Sequence, residues 1–195
     1  MDEVLTIALI IEDVLDRLGV RHVVGGSLAS SLHGIPRATQ DIDFVVDLRP
    51  ADADVIVAEL APRFYVDEHA VKEAIRERTR FNAIHLETMF KAHVYVPAMD
   101  EVMETQLACG SAFVVDERTG RTLVVSSAED AILQKLRWYR LGEEVSERQW
   151  KDALGVLRVQ GGRLDREYLE RTADRLRVRD LLDQARRASG NDPQS

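Results

Sequence analysis

The segment that most constrains the fold is the run of residues 41–46, DIDFVV, in which acidic and apolar side chains alternate. Successive side chains of a β-strand point to opposite faces, so this alternation predicts a strand. Ile42, Phe44 and Val46 would face the core, and Asp41 and Asp43 would share the other face. Two carboxylates on one strand face can bind hard divalent cations such as Mg²⁺. The segment therefore predicts a half-buried strand that carries a candidate metal site.

A glycine-rich turn lies shortly before this strand. Gly25, Gly26 and Ser27 follow the short apolar run 22–24, and the pattern predicts a helix over residues 27–33 with Ser27 as its N-cap. Glycine allows a ligand to approach the backbone closely, and a helix N-terminus offers unpaired N–H groups to phosphate. A phosphate site followed by metal-binding carboxylates is typical of enzymes that transfer a nucleotidyl group from a nucleoside triphosphate (NTP).

The remaining periodicity divides the chain into two parts. Alternating strands and helices are predicted up to about residue 126, and amphipathic helices fill residues 127–190. Residues 191–195 are predicted to be a disordered tail. Composition is that of an ordinary soluble protein, with 45% hydrophobic and 31% charged residues. The single cysteine, Cys109, excludes an internal disulfide framework and favours a reducing, cytoplasmic location.

The charge distribution is uneven. The chain has 26 basic and 34 acidic residues, a net charge of −8, which argues against a general nucleic-acid coat protein. Residues 1–120 carry a net charge of −10, whereas residues 121–195 carry +2. The early apolar run 7–11 is too short to cross a membrane, and the acidic residues before it are not typical of a signal peptide. No membrane association is expected.

The segment 25–44, GGSLASSLHGIPRATQDIDF, resembles the first motif of minimal nucleotidyltransferases in the DNA polymerase beta superfamily. Its HGIPRATQDID run is similar to the branch that contains AbiEii-type toxins. The later segments 129–140 and 146–152 resemble the lysine and aspartate motifs of that branch. The similarity covers residues 20–155 in patches.

This resemblance implies an α+β fold, with a mixed-sheet nucleotidyltransferase core followed by a C-terminal helical part. Mg²⁺ (or Mn²⁺) would be held by Asp41 and Asp43. The NTP would be bound by the glycine turn and by residues around it: Gly25, Gly26, Ser27, Arg37, Thr39 and Lys135. Asp152 would shape the acceptor site. Toxins of this branch include enzymes that add nucleotides to the acceptor end of tRNA, and they are paired with a separate antitoxin protein.

Four of these residues have ordinary structural alternatives. Arg37 and Thr39 lie in the loop before the carboxylate strand and could simply shape that turn. Lys135 could be a surface lysine whose stem covers apolar neighbours. Asp152 could pair with Arg148 one helical turn away.

One position departs from the resemblance. The superfamily uses a third carboxylate on a neighbouring strand, and the matching position in the run 91–95, KAHVY, is His93. A neutral histidine can accept a proton or bind a softer metal, but it brings no negative charge to Mg²⁺. Three hypotheses follow: a histidine base, an impaired or inactive enzyme, or replacement by another carboxylate such as Glu87.

The leading hypothesis is a nucleotidyltransferase that moves a nucleoside monophosphate to an RNA or protein hydroxyl. Two other functions compete with it. One is a catalytically silent nucleotide-binding or partner-binding module of the same fold, which His93 favours. The other is a nucleotidyltransferase that modifies a small molecule such as an antibiotic, because an acidic protein suits a cationic acceptor. The arginine-rich region 158–187 favours RNA instead, unless its arginines form ion pairs within the helices.

Overall fold

The computed structural model describes residues 3–190 of the chain. These residues form two compact units. The first, called here the sheet unit, comprises residues 3–25 and 39–126; the second, the helical unit, comprises residues 26–38 and 127–190. The predicted tail 191–195 lies outside the described residues. None of the helices in residues 3–190 has the length and apolar character required to cross a bilayer.

The sheet unit contains seven strands and four α-helices among its described residues. The strands are β1 (His22–Val24), β2 (Asp41–Val46), β3 (Phe64–Val66), β4 (Arg80–His85), β5 (Lys91–Tyr95), β6 (Ser111–Asp116) and β7 (Arg121–Val125). The helices are α1 (Glu3–Arg17), α3 (Ala53–Leu60), α4 (Glu68–Glu77) and α5 (Glu101–Ala108). A single 3₁₀ turn, Pro50–Asp52, precedes α3.

The strands form one mixed sheet in the order β3-β4-β5-β2-β1-β7-β6. The central strand β2 pairs antiparallel with β1 and parallel with β5. The hairpin partner of β5 is the antiparallel β4, and β7 runs parallel to β1. This arrangement confirms the predicted mixed sheet, and it places β2 and its carboxylates in the middle of the sheet.

The helical unit consists of α2 (Gly26–His33), α6 (Ala128–Leu141), α7 (Glu147–Gln160), α8 (Arg166–Leu176) and α9 (Arg179–Ser189). The apolar faces of α6–α9 share one core, to which Ile132, Leu136, Val156 and Leu182 contribute fully buried side chains. The predicted α+β architecture with C-terminal helices is therefore confirmed. The segment 26–38 lies with these helices although it precedes β2 in sequence.

Glycine at position 34 allows α2 to lie close to α7. A Cβ atom at Gly34 would lie 2.7 Å from the backbone nitrogen of Val156 and 2.9 Å from the carbonyl carbon of Gly155. Real Cβ atoms do not approach backbone atoms so closely, so a side chain at position 34 would push the two helices apart.

Capping explains where several helices begin, and it corrects one prediction. Asp165 caps α8, because its carboxylate accepts a hydrogen bond from the Tyr168 backbone N–H. Ser146 precedes α7 but makes no capping hydrogen bond. The prediction that Ser27 is the N-cap of α2 is wrong, since the helix begins at Gly26 and Ser27 is already helical.

Candidate nucleotidyl-transfer site

The two carboxylates of β2 lie on one face of the sheet. Along the strand, Ile42, Phe44 and Val46 are fully buried, whereas the intervening residues are half-buried. Asp41 and Asp43 therefore project from the face opposite the one that packs against the core. The alternation in the sequence predicted this arrangement correctly.

The strand register places His93 beside these carboxylates. On β5, His93 lies directly opposite Asp43, and Lys91 lies opposite Asp41. The Nε2 atom of His93 is 3.9 Å from the Oδ2 atom of Asp41. His93 therefore lies beside Asp41 and Asp43, at the position that the resemblance assigns to a third carboxylate.

On its other side, His93 is held by a residue that the sequence reasoning missed. Asn82 on β4 is the cross-strand neighbour of His93, and its Oδ1 atom lies 2.7 Å from the Nδ1 atom of the imidazole. With Oδ1 assigned to this contact, the amide oxygen can only accept, so Nδ1 carries the hydrogen. In the neutral imidazole the lone pair then lies on Nε2, the atom nearer to Asp41. The short hairpin between β4 and β5 is the signal that could have revealed this pair.

The neighbouring pair on the same hairpin is Arg80 and Tyr95. The Arg80 guanidinium donates a 3.2 Å hydrogen bond to the Tyr95 hydroxyl and lies 5.7 Å from the centre of the ring. Burial and the Asp43 carboxylate raise the pKa of Tyr95 above its usual value. Tyr95 therefore stays protonated at neutral pH and can donate a hydrogen bond on this face.

The chain around β2 orients the carboxylates. The Thr39 hydroxyl contacts both the side-chain oxygen Oδ1 and the backbone oxygen of Asp41, each at 3.0 Å. Gly25 donates its backbone N–H to the Asp43 carbonyl at 2.8 Å, which ties the end of β1 to β2. Thr39 and Gly25 were both predicted to bind nucleotide, and both directly support the carboxylate strand.

Glu87 does not lie on a strand. It is exposed in the turn between β4 and β5, beyond the end of β4 at His85. Glu87 therefore lies outside the row formed by Asp43, His93 and Asn82, which argues against the hypothesis that it replaces the third carboxylate.

In the helical unit, four of the predicted residues meet in one cluster: Ser27, Arg37, Lys135 and Asp152. The Arg37 guanidinium binds both carboxylate oxygens of Asp152 at 2.8 Å. Lys135 forms a 2.8 Å ion pair with the same carboxylate. Ser27 accepts hydrogen bonds from Arg37 at 2.6 Å and from Lys135 at 3.4 Å.

Burial makes this cluster, named here the Ser27 cluster, electrostatically strong. The side chains of Lys135 and Asp152 are only 5% and 8% exposed, so Lys135 is not a surface lysine. Burial alone would raise the pKa of Asp152, but Arg37 and Lys135 outweigh it and hold that pKa below its usual value. The cluster thus keeps one ionised carboxylate between two cations, and its net positive charge is suited to phosphate oxygens.

The first turn of α2 also fits phosphate binding. Gly26, the first helical residue, has a φ of +58°, which non-glycine residues rarely adopt. Helix N-termini carry unpaired N–H groups and a partial positive charge. Ser27 follows at the second position, where its hydroxyl joins the Ser27 cluster.

Many arginines of the C-terminal region have partners within the helical unit. Arg179 lies 3.0 Å from Glu170, and Arg186 lies 2.8 Å from the same residue. The guanidinium of Arg163 donates to backbone carbonyls. These contacts support the ion-pair alternative for part of the region, and they reduce the positive charge available to a nucleic acid.

The residues present fit a divalent cation that is shared with a substrate. Within residues 3–190, no three His, Cys, Asp or Glu side chains converge to hold a metal by protein ligands alone. Mg²⁺, however, is usually held by one or two carboxylates together with substrate phosphates and water. The carboxylate face of β2 supplies that kind of donor set.

Comparison with solved structures identifies the fold. The chain is similar to an antigenic nucleotidyltransferase-like protein from Paracoccidioides brasiliensis, with a TM-score of 0.56 and 14% identity over 94% of this chain and 92% of the other. It is similar to the antibiotic-resistance factor ANT(2'')-Ia in complex with adenylyl-2''-tobramycin, with a TM-score of 0.56 and 16% identity over 92% and 99% of the two chains.

A third similar structure is the lincomycin-bound lincosamide antibiotic adenylyltransferase LnuA, with a TM-score of 0.52 and 13% identity over 80% of this chain and 96% of the other. No family model and no curated protein sequence matches the chain. At these identities the comparisons establish one point, which is that this protein has the nucleotidyltransferase fold.

Proposed function

We propose that this protein is a divalent-metal-dependent nucleotidyltransferase that moves a nucleoside monophosphate from an NTP to an acceptor hydroxyl. The observation that carries the proposal is the pair Asp41 and Asp43, on one face of the central strand of a sheet with the nucleotidyltransferase fold. A carboxylate pair alone is common on strand edges. Its position on the central strand of this fold supports a role in binding the cation.

The reaction balances as a substitution at the α-phosphorus. The acceptor oxygen forms a bond to that phosphorus, the bond to the bridging oxygen of pyrophosphate breaks, and the hydroxyl proton leaves to a base. Asp41 and Asp43 would hold the cation, which when bound neutralises charge on the phosphates and orients them. Thr39 keeps the Asp41 carboxylate in place through its hydrogen bond.

The Ser27 cluster would bind the triphosphate. Gly26 and Ser27 would offer backbone N–H groups and a hydroxyl, and Lys135 and Arg37 would offer positive charge. Asp152 would keep the side chains of Arg37 and Lys135 ionised and oriented, a role that its ion pairs with both residues support. It would thereby act on the acceptor or phosphate indirectly.

For the acceptor, our hypothesis remains an RNA, such as the acceptor end of tRNA, or a protein hydroxyl. The resemblance of residues 25–44 to AbiEii-type toxins supports it, and implies a toxin that a cognate antitoxin restrains. Transfer to an antibiotic is the second candidate, because two proteins of similar fold are resistance enzymes of that kind. The third, a silent nucleotide-binding module, rests on His93.

The purified protein should release pyrophosphate from at least one of the four NTPs in the presence of Mg²⁺ or Mn²⁺. Total tRNA, and separately an aminoglycoside and a lincosamide, would be offered as acceptors with each radiolabelled NTP. Asp41→Asn should abolish the labelling, whereas Asp54→Asn, at an exposed aspartate of α3, should not. Nucleotide binding without turnover, measured by calorimetry, would contradict the enzyme and favour the silent module.

Toxicity can be tested separately. Induced expression of the wild-type chain should arrest bacterial growth if it is a toxin, and Asp41→Asn should relieve the arrest. If expression of the active enzyme does not affect growth, the toxin hypothesis is refuted, but the proposed transferase activity is not.

A further inference from the structure

The orientation of the His93 ring assigns it a task within the proposed transferase. Asn82 accepts a hydrogen bond from Nδ1 at 2.7 Å, so the lone pair of the neutral ring lies on Nε2. That atom lies 3.9 Å from Oδ2 of Asp41, the proposed cation ligand. The lone pair of the histidine is thus on the atom that approaches the metal-binding carboxylate.

The separation of these two atoms is within the reach of one shared cation. Metal–nitrogen and metal–oxygen bonds of divalent ions in proteins are about 2.0–2.2 Å long. Two ligands of the same ion therefore lie within about 4.3 Å of each other, even when they are on opposite sides of it. The 3.9 Å between Nε2 and Oδ2 falls inside this upper limit. Neighbouring ligands of an octahedral ion lie about 3 Å apart, so a small rotation of either side chain would bring the two atoms to that spacing.

We propose that His93 is a nitrogen ligand of the cation held by Asp41, that Asn82 is the positioning residue that presents its Nε2, and that the site selects Mn²⁺ over Mg²⁺. The proposal rests on the transferase function proposed above. Mg²⁺ strongly prefers oxygen ligands, whereas imidazole suits the later divalent metals. A histidine in place of a carboxylate also removes one negative charge, which weakens binding of a hard ion most.

The role of Asn82 follows from the sheet register. Asn82, His93 and Asp43 lie in one row across β4, β5 and β2, so the hydrogen bond between Asn82 and His93 is set by strand pairing. Hydrogen bonds to the distal nitrogen of a metal-binding histidine fix its tautomer, and their loss lowers metal affinity by about 10–100-fold. Asn82→Leu should therefore weaken Mn²⁺ binding while leaving both carboxylates in place.

The test uses the full-length protein and Mn²⁺ alone as the probe. Electron spin-echo envelope modulation detects ¹⁴N bound to Mn²⁺, and the wild-type protein should show it. His93→Gln should abolish the modulation, whereas His69→Gln, at an exposed histidine of α4, should preserve it. Asn82→Asp, which keeps an acceptor for Nδ1–H, should retain the signal that Asn82→Leu weakens.

Metal selectivity supplies the second measurement. Competition between Mn²⁺ and Mg²⁺ should show that His93→Asp lowers the preference for Mn²⁺ by about tenfold or more, because losing only an outer-shell partner of a ligand already has an effect of this size. Circular dichroism would verify that each variant folds. If His93→Asp does not fold, His93→Gln still tests whether His93 is a ligand. Turnover with Mg²⁺ should rise in His93→Asp.

The outcomes separate this proposal from the proposed function. Bound Mn²⁺ without a ¹⁴N signal, or an unchanged metal preference in His93→Asp, would overturn the nitrogen ligand even if NTP turnover is found. A ¹⁴N signal that requires His93, in a protein that turns over no NTP, would support the ligand assignment and refute the transferase.

Discussion

Asp152 is the residue whose removal should damage the helical unit most through charge alone. Its carboxylate lies between Arg37 and Lys135, with both partners at 2.8 Å. Asp152→Asn keeps the shape of the side chain but leaves two cations facing each other. Lys135, whose side chain is 5% exposed, cannot turn to water without breaking its packing.

The expected loss can be worked from burial. Removing one partner of a buried ion pair costs about 3–5 kcal/mol, because the other charge is left buried and unpaired. The Arg37 side chain is 28% exposed and partly screened, so the lower end applies, about 3 kcal/mol. For a chain of this size that corresponds to a fall of about 6–12 °C in the melting temperature.

Thermal and urea unfolding at pH 7 would measure this loss. The matched control is Glu147→Gln, which breaks an exposed ion pair with Lys151 on the same helix, α7. Solvent screens exposed pairs of this spacing, so Glu147→Gln should unfold close to the wild-type midpoint. The double variant Lys135→Met/Asp152→Leu removes both buried charges and should be more stable than Asp152→Asn.

The effect should also depend on pH with a defined sign. Because the pKa of Asp152 is lowered in the folded protein, its ionised form stabilises the fold above the unfolded value of about 3.9. The difference between wild type and Asp152→Asn should therefore shrink as the pH falls below about 4. A loss below about 1 kcal/mol at pH 7, or one equal to that of the control, would refute this reasoning.

Three other perturbations test the structure at separate places. Asp41→Asn should lower pyrophosphate release by about 100-fold or more, since a cation ligand contributes several kcal/mol to phosphoryl transfer; a smaller effect would contradict its role. The pKa of buried His22 is raised, because Glu12 and a backbone carbonyl outweigh the effect of burial. Protonated His22 therefore stabilises the fold fully below about pH 6.5, and this contribution should fade as the pH rises through the folded pKa. Glu12→Gln should flatten that pH dependence of the unfolding free energy, and an unchanged slope would contradict the pairing. Gly34→Ala should destabilise the helical unit by about 1–3 kcal/mol, because its Cβ would lie 2.7 Å from the backbone of Val156; unfolding at the wild-type midpoint would exclude that clash.

A local pattern was sufficient for the carboxylate strand. The alternation of residues 41–46 predicted β2 and the face shared by its carboxylates, because each side chain's direction depends only on its neighbours in the strand. The cap at Asp165 is likewise a local feature, since the carboxylate and the backbone N–H that donates to it are three residues apart. The same local reasoning failed at Ser27, because the positive φ of Gly26 lets the helix begin one residue earlier.

Partners across the fold could not be predicted in this way. Arg148 was the local candidate to pair with Asp152, but the carboxylate binds Arg37, 115 residues away in sequence, and Lys135 on another helix. Asn82 gave no signal of its own, and its contact with His93 became visible only from the register of β4 and β5.

The sequence by itself determined the carboxylate strand, the glycine turn and the histidine at the position of the third carboxylate. These features suffice to suggest phosphate and metal chemistry. The tertiary structure alone decided that Lys135 is buried, which carboxylate neutralises it, and which nitrogen of His93 faces Asp41. The physical reason is that periodicity along one element sets the direction of a side chain. Its burial, charge partner and tautomer depend instead on atoms that packing and strand register bring from distant parts of the chain.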